Sequence, residues 1–256
     1  MRIITIAAEK GGPGKTTTAT NVAAGLAETG KTVLLVDLDP QGNAGMAFGL
    51  QPGGFVGKST AELLMKETKL EEITVQVRDN LFLVPASRRL YEVQKILVGG
   101  RAVDRRLLHA MKTLVNVDFV IIDNPPGNTI IHDNAYMCSN EVIVPVETKL
   151  FSAKGLKDIK TTIGEIREDN PNIDITGIVI TKVNENRVQD RSYREVIREQ
   201  FGNVVFNAEI PETVRLSEAQ GAGKTIYEYD RWGAAGLAYK RLCDEIVERG
   251  ETNDNK

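Results

Sequence analysis

The sequence predicts an α/β fold in which helices flank a doubly wound, mostly parallel β-sheet. Short β-branched runs alternate with longer helical patterns along all 256 residues. Several of those runs, at 33–36, 119–122 and 178–180, are continuously apolar, which is typical of parallel strands buried on both faces. We therefore predict a single domain at 1–250, followed by a polar tail at 251–256 that we expect to be disordered.

The predicted elements alternate from the start of the chain. Strands are predicted where β-branched and apolar residues end at turn-forming residues, at 2–8, 32–37, 81–85, 119–123, 141–145, 175–182 and 204–208. Helices are predicted where apolar residues recur every three or four positions, at 15–29, 103–114, 153–169, 190–201, 212–220 and 233–249. Right-handed crossovers between parallel strands place these helices on both faces of the sheet.

The loop between the first strand and the first helix has the composition of a phosphate-binding loop. It contains Lys10, Gly11, Gly12, Gly14, Lys15, Thr16 and Thr17. Its glycines let backbone N–H groups approach phosphate oxygens, and the helix start adds the positive end of its dipole. We predict that Lys15 binds the β- and γ-phosphates of ATP and that the Thr16 hydroxyl holds Mg²⁺. A glycine-rich turn that binds no nucleotide is the alternative.

This loop departs from the strict pattern G-x-x-x-x-G-K-[ST], because Glu9 stands where the first glycine belongs. A second lysine, Lys10, stands at the start of the loop. Since one lysine is enough to neutralise phosphates in place, Lys10 is a candidate for contact with a nucleotide across a dimer interface.

Carboxylates follow two of the predicted strands at their carboxyl ends, where parallel sheets gather ligands. Asp37 and Asp39 close the second strand, and Asp123 follows four apolar residues in the strand at 119–123. We predict that Asp37 and Asp123 lie around the Mg²⁺ ion and that Asp39 orients an attacking water. The alternative for Asp37 and Asp39 is a solvated turn, since Asp-Pro and Gly-Asn pairs favour turns.

A second glycine-rich segment, at 221–225, also ends in lysine and threonine. The glycine that a phosphate loop requires five positions before Gly223 is replaced by Glu218, and a short predicted helix precedes the segment instead of a strand. We interpret this segment as a loop with a basic tip.

Four arginines are spaced so that they share one helix face. They are Arg187, Arg191, Arg194 and Arg198. This face is a candidate stripe for DNA phosphates. The alternative is a solvated face paired with neighbouring acids, which runs of charge usually are.

The composition narrows the possible classes of protein. The net charge of −3 gives no global signature of nucleic-acid binding, so any DNA contact must come from a local patch. No apolar run reaches the ~20 residues that span a bilayer, and we expect no signal peptide.

Cys138 and Cys243 fit reduced packing residues of a cytoplasmic protein and are too few for an iron–sulfur cluster. His109 and His132 are too scattered for a metal site.

Nearly the whole chain resembles the ParA/Soj ATPases, within the deviant Walker A group that also contains MinD. The resemblance is carried by the motifs at 10–18, 34–43, 121–126, 210–219 and 226–230. It implies an ATP-sandwich dimer in which Lys10 contacts nucleotide across the interface. The loop residues Lys15 and Thr16 would bind phosphate and Mg²⁺, Asp39 would set the hydrolytic water, and Asp37 and Asp123 would surround the metal.

The resemblance also implies contacts outside the phosphate loop. Segments that contain Lys182 and Pro211 would line the adenine pocket, and Arg187 and Arg215 align with arginines of the family's non-specific DNA surface. The implied protein is a cytoplasmic ATPase, nucleoid-associated when ATP-bound, that segregates or positions a plasmid, chromosome origin or protein compartment. Its implied partners are a second copy of itself, non-specific DNA and a ParB-like or other cargo-bound adaptor that stimulates hydrolysis, with no membrane.

The chain departs from the family's pattern in two places. In the run at 148–155, two acids of the family are replaced by Lys149 and Lys154. The chain also lacks the N-terminal helix-turn-helix of larger plasmid ParA proteins, so operator binding is not expected. Two other functions stay open: a MinD-like membrane-associated regulator, which needs an amphipathic basic helix after Val247, and a metabolic P-loop enzyme such as an amide-forming ligase.

Overall fold

The computed structural model describes residues 1–8, 10–51, 54–100, 102–127, 129–148 and 160–253. Eight strands form one sheet in this part of the chain. They are β1 Arg2–Ile6, β2 Val33–Asp37, β3 Val75–Arg78, β4 Leu81–Val84, β5 Phe119–Asp123, β6 Glu141–Glu147, β7 Asp174–Val183 and β8 Val205–Pro211. Their order is β3-β4-β2-β5-β1-β6-β7-β8, and β3 pairs antiparallel with β4 while the other strand pairs are parallel.

Helices cover both faces of this sheet. They are α1 Lys15–Glu28, α2 Asn43–Met46, α3 Thr60–Met65, α4 Leu70–Ile73, α5 Leu90–Leu97, α6 Arg106–Met111, α7 Ile130–Cys138, α8 at 160–166, α9 Val188–Phe201, α10 Val214–Gly221, α11 Ile226–Asp230 and α12 Ala234–Asn253. Among the described residues, no helix combines the length and the apolar character that crossing a membrane requires.

Alternate residues of the central strands pack into two hydrophobic layers. Leu35 and Ile121 face the layer formed with α1, α11 and α12, whereas Val36 and Val120 face the layer formed with α3, α5 and α7. Every residue of β2 and β5 is buried. This is why both strands have continuous apolar sequences, and it confirms the predicted doubly wound sheet.

The register of the sheet brings the carboxyl ends of β1, β2 and β5 together at one edge. Asp123 in β5 pairs with Asp37 in β2 and with Ile6 in β1. The loop after β1 and the turn after β2 therefore flank the end of β5, which is the geometry that the predicted site requires.

The seven predicted strands are confirmed, with ends within three residues of the predicted bounds. The prediction missed β3, because this four-residue edge strand alternates polar and apolar residues and none of its residues is fully buried. It also missed the helices α2, α3, α4, α5, α7 and α11. The helix predicted at 103–114 is a 3₁₀ turn, Val103–Arg105, followed by α6.

The helices predicted at 233–249 and 153–169 also have to be compared with the structure at their ends. Helix α12 continues to Asn253, so the first three residues of the predicted tail are helical, and 254–256 lie outside the described residues. Of the helix predicted at 153–169, the residues 153–159 lie outside the described part, as does most of the run at 148–155.

Candidate functional site

The phosphate loop ends at the first turn of α1, whose N-terminus points at the edge of the sheet described above. Gly12 and Gly14 have φ of 109° and 87°, in the left-handed region that a glycine occupies without strain. No described side chain caps the N-terminus of α1. The N–H groups of its first turn are therefore available to an anion, as the sequence predicted.

Lys15 lies inside this loop and is only 7% exposed. Its Nζ donates a hydrogen bond to the backbone oxygen of Lys10 at 3.1 Å. Burial lowers the pKa of Lys15, and the carboxylates of Asp123 and Asp39 partly oppose that effect. The ammonium group thus stands between the loop and the acids of the neighbouring strands, where it can meet a phosphate.

Asp123 is the most unusual group of the site. It is fully buried, and neither carboxylate oxygen has a hydrogen-bond partner among the described residues. Burial is the main cause that raises the pKa of Asp123 to about 7. The Thr16 hydroxyl is near enough to lower this pKa although it makes no well-formed hydrogen bond to the carboxylate, Asp39 raises it further, and Lys15 lowers it. A buried carboxylate without donors normally signals a missing cation or water. The position beside Thr16 therefore fits Mg²⁺.

The described residues contain no cluster of three or more His, Cys, Asp or Glu side chains that forms a metal cage. A Mg²⁺ ion is usually bound by one or two protein groups together with phosphate oxygens and waters. The Thr16 hydroxyl and the Asp123 carboxylate are the groups that this site offers.

Asp37 has a second role that its motif did not reveal. Its Oδ1 accepts from the backbone N–H of Asp39 at 2.9 Å, and its Oδ2 accepts from that of Ala44 at 3.1 Å. Burial, followed by the neighbouring Asp123, raises the pKa of Asp37 well above its usual range. Both oxygens thus hold the turn after β2, so that Asp37 supports the metal site mainly by fixing this turn.

Asp39 forms a turn and lies close to the charged groups of the site. Its Oδ1 accepts from the N–H of Gln41 at 2.9 Å, so it does form a turn. Its side chain is only 9% exposed, and its charge acts on both Lys15 and Asp123. The carboxylate is therefore close enough to the phosphate loop and to Asp123 to act on both, and its role in orienting a water stays a prediction.

The loop that follows β5 is fixed by a histidine that the sequence analysis had set aside. His132 Nε2 donates to the backbone oxygen of Pro125 at 2.9 Å, and Nδ1 accepts from the N–H of Thr129 at 3.2 Å. Burial lowers the pKa of His132 to about 4, so the ring is neutral. The contact between Thr129 and His132 has a signal in the sequence, namely their spacing of three residues. Thr129 caps α7, and His132 completes the capping box.

The two predicted adenine-pocket residues lie at the ends of β7 and β8. Pro211 pairs with Val183 in the sheet, and Lys182 stands next to Val183. The hydroxyl of Thr181 donates to the backbone oxygen of Pro13 at 2.9 Å, which ties β7 to the phosphate loop. Lys182 also forms an ion pair of 2.6 Å with Glu147, which no motif had indicated.

The arginine face is divided by its ion pairs. Arg194 and Arg198 both pair with Glu209 of β8 at 2.7 Å, and Arg194 is only 17% exposed. Both side chains are thus engaged by an acid of β8, although Arg198 remains 35% exposed. That they contribute to a stripe for DNA stays a prediction, since helical spacing does not show which part of the face a strand covers.

The remaining arginines are solvent-accessible. Arg187 pairs with Glu212 at 2.9 Å and Arg215 pairs with Glu218 at 3.0 Å, and both side chains are more than half exposed. Arg191 is 78% exposed beside Glu195.

The second glycine-rich segment connects α10 directly to α11 and follows no strand. The side chain of Thr225 caps α11. The segment is therefore a loop that follows a helix, as predicted.

Comparison with known proteins gives a consistent result. A family model described as an AAA domain matches residues 1–175. The chromosome partitioning protein ParA of Caulobacter vibrioides is 34% identical over 255 residues, which cover 97% of this chain and 95% of the relative. The chromosome-partitioning ATPase Soj of Thermus thermophilus is 36% identical over 250 residues, which cover 97% of this chain and 96% of the relative.

Among solved structures, cobyrinic acid a,c-diamide synthase from Mycobacterium smegmatis with bound ADP and magnesium matches with a TM-score of 0.85 at 25% identity. The match covers 99% of this chain and 96% of the synthase.

Proposed function

This chain belongs to the ParA/Soj-type family of deviant Walker A ATPases, and from that premise we propose that it is an ATPase that dimerises on ATP and positions a cargo on DNA. The cargo is a plasmid, a chromosome origin or a protein compartment. A ParB-like or other cargo-bound adaptor stimulates hydrolysis and releases the complex, which associates with the nucleoid only in its ATP state.

The observation that carries this proposal is the buried carboxylate of Asp123 without hydrogen-bond partners among the described residues, beside Thr16 and within the field of Lys15. ATP with Mg²⁺ supplies what this arrangement lacks: a cation for Asp123 and phosphate oxygens for Lys15 and the N-terminus of α1. When bound, the metal screens the phosphate charge during transfer to water. Gly11, Gly12, Gly14 and Thr17 complete the cradle, and Lys182 and Pro211 border the base.

Hydrolysis requires a water held in line with the terminal phosphate. Asp39 supplies the carboxylate for this step, because its turn is fixed by Asp37 and its charge already reaches Lys15 and Asp123. The loop that follows Asp123 in the chain is held by His132 at the oxygen of Pro125. It is placed to respond when the phosphate leaves.

DNA binding uses Arg187, Arg191 and Arg215. The acids paired with Arg187 and Arg215 are exposed, and surface ion pairs contribute only ~0–1 kcal/mol, so DNA phosphates can replace them. A monomer of net charge −3 binds DNA weakly through so few cations. Dimerisation doubles the surface and joins its halves at high effective concentration, which makes DNA binding depend on ATP.

Light scattering with Mg·ATP, with Mg·ADP and without nucleotide tests the dimer. The parent should dimerise with ATP alone. Lys15→Ala should bind no nucleotide, because the main counter-charge of the phosphates is removed. Lys10→Ala is the matched control in the same loop: it should bind nucleotide in calorimetry and stay monomeric. A parent that remains monomeric in all three states contradicts the proposal.

The M. smegmatis synthase shares the fold, so a metabolic amide-forming enzyme is the second candidate, and the fold alone does not choose between them. The higher identity to two partitioning proteins over nearly the whole chain supports the first. Co-sedimentation with plasmid DNA and with anionic liposomes, each with ATP, separates the functions. Pelleting with DNA supports partition, pelleting with liposomes supports a MinD-like regulator, and pelleting with neither supports a metabolic enzyme.

A further inference from the structure

A partly buried ion pair lies against the phosphate loop and joins Lys182, which we assigned above to the border of the base, to an acid that no motif indicated. Glu147 ends β6, and its Oε1 lies 2.6 Å from Nζ of Lys182 near the end of β7. The strands place these residues together, because Glu147 is paired in the sheet with Thr181. The Glu147 side chain is only 13% exposed, so its charge is screened far less than that of a surface acid.

The position of this pair is defined by the loop itself. A Cβ on Gly12 would lie 3.6 Å from Oε1 of Glu147, so the carboxylate borders the backbone that cradles phosphate. The hydroxyl of Thr181, next to Lys182 in β7, donates to the oxygen of Pro13 at 2.9 Å. Glu147 and Lys182 are thus fixed relative to the loop from the neighbouring strands.

The backbone of Lys182 adds a second, independent observation. Its φ is 54°, in the left-handed region that a lysine rarely occupies. Such strain persists only where the surrounding structure imposes it, and it is concentrated at functional sites. The lysine that occupies this conformation is the one that pairs with Glu147.

A carboxylate beside an anion cradle repels phosphates, and a lysine paired with it cancels that repulsion. We propose that Glu147 weakens and Lys182 restores the affinity of the loop for nucleotide, and that both opposing effects are larger for ATP than for ADP. The effects are larger for ATP because repulsion and attraction grow with the charge of the ligand, which is larger for the triphosphate. The inference rests on the proposed function, since it assumes a nucleotide at the loop.

Two other roles for the pair predict different results. If the pair only braces β6 against β7, removing either partner should weaken binding of both nucleotides alike. If Lys182 itself binds a phosphate, its removal should weaken binding whether or not Glu147 is present. Only the proposed role gives single variants of opposite sign that cancel in the double variant.

The test measures the dissociation constants of Mg·ADP and of a non-hydrolysable Mg·ATP analogue by calorimetry at low salt. Glu147→Gln should bind the ATP analogue roughly five- to tenfold more tightly, and Lys182→Met should bind it less tightly by a similar factor, with smaller changes for ADP. The double variant should lie within about twofold of the parent. Lys182→Arg keeps the charge and should bind the ATP analogue more tightly than Lys182→Met does, and high salt should reduce all differences.

The proposal is overturned if Glu147→Gln and Lys182→Met change the affinity in the same direction. It is also overturned if the double variant binds the ATP analogue as weakly as Lys182→Met does. Thermal unfolding of each variant without nucleotide shows whether weaker binding reflects poorer folding, and Lys182→Arg provides the folded comparison. A parent that binds neither nucleotide overturns the proposed function together with this inference, whereas a parent that binds normally confines the failure to the pair.

Discussion

Replacing Asp123 with asparagine should stabilise the ligand-free protein at pH 8 and lose that advantage at pH 4.5. The buried carboxylate has no hydrogen-bond partner among the described residues, and its pKa is raised to about 7 from the ordinary value of 3.8. The folded state therefore holds a proton that the unfolded state releases. Stability from this group is fully present below about pH 4 and falls as the pH rises to about 7.

The magnitude follows from the same two values. The difference between about 7 and 3.8 corresponds to ~4 kcal/mol of stability lost at pH 8. Asparagine removes this effect. It also removes the repulsion between the charges of Asp123 and Asp37, which raises the pKa of Asp37. Its buried amide still lacks partners, which costs about 1–3 kcal/mol at every pH. A net gain of roughly 1–3 kcal/mol at pH 8 should therefore vanish or reverse at pH 4.5.

Urea unfolding followed by circular dichroism at pH 4.5, 6 and 8, without nucleotide or Mg²⁺, measures this difference. Asp79→Asn, an exposed carboxylate in the turn between β3 and β4, is the matched control and should change stability little at any pH. An Asp123→Asn variant that is less stable than the parent at pH 8, or a difference that does not depend on pH, would refute the reasoning. Mg·ATP should stabilise the parent and not this variant, because the metal loses its carboxylate.

Three further outcomes separate the roles assigned above. Asp39→Ala should keep ATP binding and trap the dimer, with phosphate release at background in a coupled assay; release at the parent rate would reduce Asp39 to a turn residue. The double variant Arg187→Ala/Arg215→Ala should weaken binding to unrelated DNA duplexes alike and flatten the log–log salt slope by about one for each phosphate that is no longer neutralised, measured by gel shift. ATP-driven dimerisation should survive in that variant, and unchanged DNA binding would show a merely solvated surface. Arg194→Ala should lower the stability of the fold and leave DNA binding unchanged, because its ion pair with Glu209 is mostly buried. Urea unfolding should show a decrease in stability of about 1–2 kcal/mol. Weaker DNA binding would contradict the division of the arginine face.

The parts of the site that were predictable are those encoded by local spacing. The glycines before Lys15 and the apolar run before Asp123 specify a loop and a buried strand within a few residues of chain. The pairing of Asp123 with Asp37 followed once the sheet was assumed to be parallel. These predictions needed only the geometry of a strand, a turn and a helix start.

The parts that were missed depend on contacts between distant segments. Glu147 and Lys182 meet because β6 and β7 are in register, and no spacing along the chain encodes that register. Glu209 reaches Arg194 and Arg198 from the edge strand β8, so an amphipathic pattern identified the arginine face but not the strand that covers part of it. Strand β3 has only four residues, too few for a periodic signal to stand out.

The protein holds some side chains of the site in place by hydrogen bonds but provides no such partner for the carboxylate of Asp123 among the described residues. Backbone N–H groups hold both oxygens of Asp37, and the loop oxygen of Lys10 holds Lys15. Asp123, by contrast, is buried without a partner among the described residues, as is Asn124 beside it. Two protein groups are too few to strip Mg²⁺ of its waters, so the metal should be held firmly only when it arrives with phosphates. The same unsatisfied carboxylate that destabilises the ligand-free protein thus makes the site selective for a metal–nucleotide complex over either component alone.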